Sequence, residues 1–366
     1  MGNFSAMRCH SHEISYKLWN TGVTALGGGI IHRSLFYQIT SIENCFAAWR
    51  EFRRGKGKRW DVQRFELRLE EDIFVLQSEL AGGTWKHDEY EEFIVCDPKQ
   101  GVIHKATVRD RIVHQAVVRV IEPRFEPILL PHTWSCRKEK GVEASINAVH
   151  KQLENISRHG SRNVWILHCD IRKYFASIDC EILQSQIRNR IDDVKVLGII
   201  DQILHSHSPG LPLGNVTSQL FGNVYLSMLD RFIIEHLQPE YYARYCDDFI
   251  LIDRDPMKLY HNIETIHIFL RMQLRLTLHP TKISLHRYCS GVDWLGVRLY
   301  PGGARRMRGV TRRRALRNID GSIRNILDGN IDDNILRSTL ASYDGVFQRG
   351  YATNDQETVE MLRKVV

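Results

Sequence analysis

Residues 241–252 read Tyr-Tyr-Ala-Arg-Tyr-Cys-Asp-Asp-Phe-Ile-Leu-Ile. Adjacent carboxylates, Asp247 and Asp248, stand at the centre of an otherwise apolar and aromatic run. The pattern predicts two β-strands joined by a tight turn with the carboxylates at its tip. Like charges this close repel, so the pair is favoured where water solvates it or a cation offsets it. Hard oxygen ligands in small number suit Mg²⁺, which keeps water and binds through substrate phosphates. A solvated turn is the plainer alternative, because Asp is a common turn former.

A second stretch, 164–179, shifts the balance towards chemistry. It reads Val-Trp-Ile-Leu-His-Cys-Asp-Ile-Arg-Lys-Tyr-Phe-Ala-Ser-Ile-Asp. An apolar strand pattern runs into Asp170, and a turn and a helical pattern follow from about Asp179. Asp170, Asp247 and Asp248 together could hold two Mg²⁺ ions, with nucleotide phosphates completing the shells, and so support in-line phosphoryl displacement.

The order of motifs resembles that of reverse transcriptases. Asp170 followed by Tyr174-Phe175 looks like their first catalytic block, and Tyr245-Cys246-Asp247-Asp248 looks like their Tyr-x-Asp-Asp block. Between them, Gly210-Leu-Pro-Leu-Gly-Asn-Val-Thr-Ser-Gln219 resembles the family's template- and nucleotide-contacting loop. Most relatives carry Gln-Gly and Ser-Pro at its two diagnostic points. Here those points are Leu213-Gly214 and Ser218-Gln219, which is similar to diversity-generating retroelements. Leu278-His-Pro-Thr-Lys282 resembles the block with the family's lysine, and Val292-Asp-Trp-Leu-Gly-Val297 resembles the primer-grip hairpin. Upstream, 108–115 and 125–138 resemble the fingers blocks. The likeness covers roughly residues 35–350 in consistent order.

The resemblance implies an α+β right-hand polymerase with fingers, a palm built on a central antiparallel sheet, and a short helical thumb. Residues 1–32 would be an N-terminal extension, 33–160 the fingers, 161–300 the palm and 301–366 the thumb. Strands alternating with helices and closing in a hairpin agree with an α+β palm. Leu340-Ala-Ser-Tyr-Asp-Gly345 resembles the thumb helix.

The implied metal set is Asp170, Ile171, Asp247 and Asp248, holding two Mg²⁺ or Mn²⁺ in their place. Asp248 would act more indirectly than the other two aspartates. Phe175 would stack under the sugar and exclude a 2′-hydroxyl; an ordinary core aromatic is the alternative. Lys282 would protonate the pyrophosphate leaving group, or be a surface lysine. Trp294, Leu295 and Gly296 would pack under the primer end, although Trp294 also reads as a core residue. Arg137 and Lys138 are candidates for triphosphate or template phosphates. The family's usual fingers Arg falls at Gly101, and Lys99, His104, Lys105 or Arg109 would substitute. Asn147-Ala-Val-His150 bears only a faint resemblance to a retron signature, one residue short in spacing; a helix surface explains it as well, and the resemblance is discounted.

Composition sets the partner class. The chain of 366 residues is long enough for more than one subdomain, and Lys+Arg exceed Asp+Glu to give a net charge of +7. Such a charge suits a polyanionic partner. One basic run holds Arg53, Arg54, Lys56, Lys58 and Arg59, and a second holds Arg305, Arg306, Arg308, Arg312, Arg313, Arg314 and Arg317. The second follows the expected primer grip, which favours phosphate contact over a merely solvated face. The eight cysteines show no paired short spacing, which argues against a zinc site and against a secreted disulfide framework. No stretch reads as a membrane span. Ala6 removes the myristoylation reading of Met1-Gly2. A cytoplasmic protein is expected.

The leading functional reading is an RNA-directed DNA polymerase of the diversity-generating type, error-prone at template adenines. Its partners would be an RNA template, a DNA or RNA primer, deoxynucleoside triphosphates, a structured non-coding RNA and a small basic accessory protein. A domesticated or antiviral-defence enzyme with a dedicated non-coding RNA is the second reading. A catalytically silent RNA-binding scaffold is the third, and the intact aspartates argue against it. The short tail after the thumb argues against a group II intron protein.

Overall fold

The computed structural model describes residues 34–95 and 101–327, with positions 337 and 341. The expected extension 1–32, Lys99, and nearly all of the tail beyond 327, including most of 340–345, lie outside the described residues. Two compact units interleave along the chain: Met1–Glu126 with Leu183–Leu220, and Pro127–Ile182 with Phe221–Val366.

In the first unit, helices α1 (Leu35–Thr40), α2 (Ile42–Arg53), α3 (Trp60–Glu66) and α4 (Leu69–Gly82) precede an antiparallel hairpin of β1 (Glu91–Val95) and β2 (Gly101–Lys105). Helix α5 (Val108–Phe125) follows. Ser34, Ser41 and Thr107 cap α1, α2 and α5 by accepting backbone N–H bonds, satisfying groups that a helix start leaves open. Cys45, Ala48, Trp49 and Phe52 form the buried face of α2, at the three- and four-residue spacing of an amphipathic helix. That helix packs on α5, and Asn44 ties the two by donating to the Ala116 carbonyl at 3.0 Å.

In the second unit, helix α6 (Val142–Ser157) precedes β3 (Trp165–Asp170). A one-turn helix α7 (Tyr174–Ser177) and helix α8 (Cys180–Arg188) follow, and α8 ends in the first unit. The first unit then holds α9 (Val194–His205) and the start of α10 (Val216–Phe232). The chain continues through β4 (Tyr241–Tyr245), β5 (Asp248–Asp253), helix α11 (Pro256–Leu274) and β6 (Ser284–Arg287). These strands form one antiparallel sheet in the order β4-β5-β3-β6. A second sheet joins β7 (Val292–Trp294), β8 (Val297–Leu299) and β9 (Arg305–Met307). Helix α12 (Gly309–Leu327) ends the described region.

Both faces of the central sheet are covered. Ile146, Val149 and Leu153 of α6 share a core with Ile166, Ala243, Ile250, Ile252, Trp294, Val297 and Leu299. Helix α11 packs on β3 and β5. This explains why 248–253 reads as a continuous apolar run rather than an alternating one.

The α+β class expected from sequence is observed. Residues 292–299 form a hairpin. Paired Trp294 and Val297 enclose a two-residue loop with Leu295 at φ 51° and Gly296 at φ 86°. Two positive φ values in such a loop match the right-handed twist of the flanking strands. Helix α6 belongs with the sheet that it covers.

Candidate active site

The hairpin that ends β4 and begins β5 is built around an unfavourable backbone. Tyr245 pairs with Asp248, so Cys246 and Asp247 alone make the turn. Cys246 takes φ 59°, the sign usually supplied by glycine. Its backbone is fastened on both sides. Its N–H donates to Ser135 Oγ at 2.9 Å, and its carbonyl accepts from Arg244 Nη1 at 3.0 Å. Arg244 is fully buried and grips Asp230 of α10 with both Nε and Nη2 at 2.6 Å. Such a forked pair fixes direction as well as charge. Cys246 thus sits in the turn, with Asp247.

The carboxylates converge from three positions. Asp170, the last residue of β3, lies directly opposite Asp248, the first residue of β5. Directly opposed side chains share a face of the sheet. Asp247 lies beside them in the turn, where its carbonyl accepts from Ile171 N at 3.2 Å. Burial, then the charges of Asp170 and Asp248, hold the Asp247 carboxyl above its usual range.

Two basic side chains answer this negative surplus. Lys282 Nζ meets Asp170 Oδ2 at 2.6 Å. It is delivered by a segment stitched to the end of β3: His279 N donates to the Asp170 carbonyl at 2.7 Å, and Arg172 N donates to the Thr277 carbonyl at 2.9 Å. His168 Nε2 contacts Asp248 Oδ1. His168 was missed from sequence, although it was readable: two residues before Asp170 on a strand, it must share the face of Asp170. Arg244, Asp230 and Ser135 were missed as well. An Arg inside an apolar strand was the available signal for the first.

The donor chemistry fits a hard divalent cation: an all-oxygen group of carboxylates with more negative charge than its two basic neighbours offset. Among the described residues, no three His, Cys, Asp or Glu side chains stand close enough to hold an ion together. Phe175 is half-buried in α7. It packs against α10 at Gly222, whose carbonyl accepts from Tyr174 Oη at 2.5 Å.

Residues 98–299, more than half of the chain, match the model of the family described as reverse transcriptase (RNA-dependent DNA polymerase). The chain belongs to the reverse transcriptase family. It is similar to protein YkfC of Escherichia coli (strain K12), with 24% identity over 278 residues covering 64% of this chain and 72% of that one. It is also similar to the group II intron-encoded protein LtrA of Lactococcus lactis subsp. cremoris, with 26% identity over 179 residues covering 45% of this chain and 29% of that one. The chain therefore spans most of the first relative and less than a third of the second. Among solved structures, telomerase from Candida tropicalis aligns over 60% of this chain and 55% of that one, at 9% identity and a TM-score of 0.48.

The 213–219 segment lies in the first unit. Leu213, Gly214 and Gln219 are exposed, whereas Ser218 is buried. Gly214 borders a cavity of about 330 Å³ whose lining includes Phe52, Lys56, Arg59, Lys105 and Arg111. Burial, then the charges of Arg59 and Arg111, hold the Lys56 ammonium below its usual range. Lys56 Nζ donates only to the Phe52 carbonyl and has no carboxylate partner among the described residues. Of the expected substitutes for the fingers Arg, Arg109 turns to Glu79 and Asp88, His104 to Glu92, and Lys105 to Asp61 and Glu91. His104 and Lys105 both border the cavity with Lys56 and Arg59, each keeping its own carboxylate partners.

Other expected contacts are engaged within the protein. Arg137 Nη1 donates to the Leu130 and Thr133 carbonyls at 2.7 and 2.9 Å, while Lys138 is exposed. Trp294 is fully buried and donates from Nε1 to Ser145 Oγ at 3.0 Å, as a core residue does; Leu295 and Gly296 form the loop above it. Arg305 donates to His150 Nδ1 and Asn147 Oδ1 at 2.8 and 2.7 Å, which gives Asn147 and His150 a structural use. Arg308 pairs with Asp293 at 2.5 Å. Arg306, Arg313, Arg314 and Arg317 have no ion pair among the described residues, where no helix is long and apolar enough to cross a membrane.

Proposed function

We propose that this chain extends a primer along an RNA template with deoxynucleoside triphosphates. The observation that carries the reading is the direct opposition of Asp170 and Asp248 with Asp247 in the turn between strands. The primer 3′-hydroxyl attacks the α-phosphorus and pyrophosphate leaves. Two divalent ions, Mg²⁺ or Mn²⁺ in its place, held by Asp170 and Asp247 beside Ile171, would stabilise charge on the attacking and leaving oxygens. Lys282 is placed on the same carboxylate group and supplies a proton to the departing pyrophosphate. His168 fixes Asp248, which keeps that carboxylate in a supporting role. Phe175 lies under the sugar. Lys56, Arg59 and Lys105 meet phosphates in the first unit, and Arg306, Arg313, Arg314 and Arg317 meet the duplex backbone.

The finer reading is an enzyme of the diversity-generating type. Leu213 is exposed and offers no hydrogen bond where a glutamine could make one. Fewer fixed polar contacts weaken rejection of mispairs, with errors expected opposite template adenine. A structured non-coding RNA and a small basic accessory protein are the partners this reading adds.

Primer extension on RNA templates that differ only in the templating base tests both levels. Asp247→Asn should lower the rate more than about a hundredfold, about 2.7 kcal/mol of barrier, with RNA binding retained. A smaller loss removes Asp247 from the chemistry. Wild type should err most at adenine and Leu213→Gln should reduce that error. Uniformly low error leaves a faithful polymerase, the domesticated or defence enzyme.

A further inference from the structure

Behind the exposed loop residues lies a buried polar chain that the chemistry above does not use. Thr217 Oγ1 stands 2.6 Å from His114 Nδ1, His114 Nε2 stands 3.0 Å from His87 Nε2, and His87 Nδ1 stands 2.5 Å from the Asp88 carbonyl. Thr217 and His114 are 1% exposed, so water cannot replace these bonds. A carbonyl only accepts, so His87 carries its proton on Nδ1. With His87 neutral beside the buried Asp110, whose Oδ2 lies 3.8 Å from Nδ1, its Nε2 accepts and His114 donates from Nε2. His114 Nδ1 is left as an acceptor, and the Thr217 hydroxyl donates to it. With His87 neutral, the chain has one direction, from Thr217 to Asp88. Burial, with His87 beside it, pushes His114 down to about 3, which keeps the ring neutral as this direction requires.

A second chain ends two residues earlier. Ser206 Oγ donates to the Ile203 carbonyl at 2.7 Å, so Tyr90 Oη donates to Ser206 Oγ at 3.0 Å and accepts from Asn215 Nδ2 at 3.0 Å. The Tyr90 ring lies over His87 with centroids 4.8 Å apart, which couples the two chains. All these residues belong to the first unit. They anchor the buried Asn215 and Thr217 and leave Leu213, Gly214 and Gln219 outward.

We propose that the His87–His114–Thr217 chain, with the Tyr90 bridge to Asn215, positions the 213–219 loop for nucleotide selection, with Thr217 as a positioning residue. The inference rests on the polymerase reading above. A hydroxyl at 217 sets where the backbone of the loop lies, and the exposed residues on either side of it follow.

The test uses the full chain in single-nucleotide incorporation on an RNA template. The readout is the ratio of kcat/KM for the correct and an incorrect deoxynucleotide, with thermal melts by circular dichroism. Thr217→Val keeps the shape and removes the hydroxyl. It should change the ratio about fivefold or more, the factor that one neutral hydrogen bond is worth. Thr217→Ser restores the donor and should return the ratio to within about twofold of wild type. Tyr90→Phe cuts the second chain at its centre and should move the ratio in the same direction; it decides the matter if Thr217→Val fails to fold. Folded Thr217→Val and Tyr90→Phe with wild-type ratios overturn the proposal while leaving the polymerase reading intact. A wild-type chain that extends nothing overturns both.

Discussion

Burial and the neighbouring charges of Asp170 and Asp248 hold the Asp247 carboxyl above the usual carboxylate range. The folded protein therefore binds this proton more tightly than the unfolded chain does. Its contribution to stability is fully present below the unfolded value, about 3.9, and is lost as pH rises through the folded one. At neutral pH, without divalent ions, Asp247 works against the fold. Asp247→Asn should then melt above wild type in chelator at pH 7, and the gap should narrow on acidification; 1 kcal/mol is worth about 2–4 °C in chains of about 150–250 residues. Added Mg²⁺ should raise the melting temperature of wild type and leave the variant nearly unmoved. A variant that melts lower in chelator would show that the carboxylate's own hydrogen bonding outweighs the repulsion. The sequence displayed the three aspartates plainly. It did not display His168 on Asp248 or Lys282 on Asp170, because each pairing joins segments 80 and 112 residues apart.

Helix α10 carries residues of both proposed selection sites. Its first turn carries Thr217, Ser218 and Gln219, and one turn later Gly222 lies against α7. A Cβ at Gly222 would come within 3.2 Å of Phe175 Cε1 and 3.4 Å of Tyr174 Cε1. Glycine in a helix interior is unfavourable by about 0.5–1 kcal/mol relative to alanine, so close approach to the aromatic pair explains its presence. Gly222→Ala should displace the Phe175 ring by a few tenths of an ångström, with the helix-forming gain offsetting most of the packing loss. Phe175→Val should admit ribonucleotides about tenfold better or more, equivalent to about 1.4 kcal/mol. Gly222→Ala should shift the same deoxy-to-ribo ratio with Phe175 in place. If both variants discriminate as wild type does, Phe175 is a packing residue. Helix periodicity predicts a helix from Ser218 to about Leu237, and α10 begins two residues earlier, at Val216. What Gly222 faces was not legible, since a glycine carries no pattern of its own.

Charge acts over the whole chain, but not every arginine in the basic run is available. Arg305 and Arg308 are bound to Asn147, His150 and Asp293. Arg306, Arg313 and Arg314 offer guanidinium groups to phosphate. Neutralising these three should reduce the slope of log affinity against log salt for a primer–template duplex by roughly 2–3 units. Sequence preference should hold, because phosphate contacts position without reading bases. Arg308→Gln should leave the slope nearly unchanged. Equal slopes for all variants would show that the run is merely solvated.

Local pattern was enough for the α+β class, the strand ends that carry Asp170 and Asp248, the turn at Asp247 and the helices on either side, because strand and helix periods and turn chemistry act over a few neighbouring residues. The motif order, read along the chain without any fold, was enough for the family. Folding alone settled which of those residues are free to act. It buried Trp294 in the core and tied Arg137 and Arg305 to nearby hydrogen-bond acceptors. Those outcomes depend on partners far away in sequence, whose competition for each donor and each apolar face is resolved only when the chain is packed.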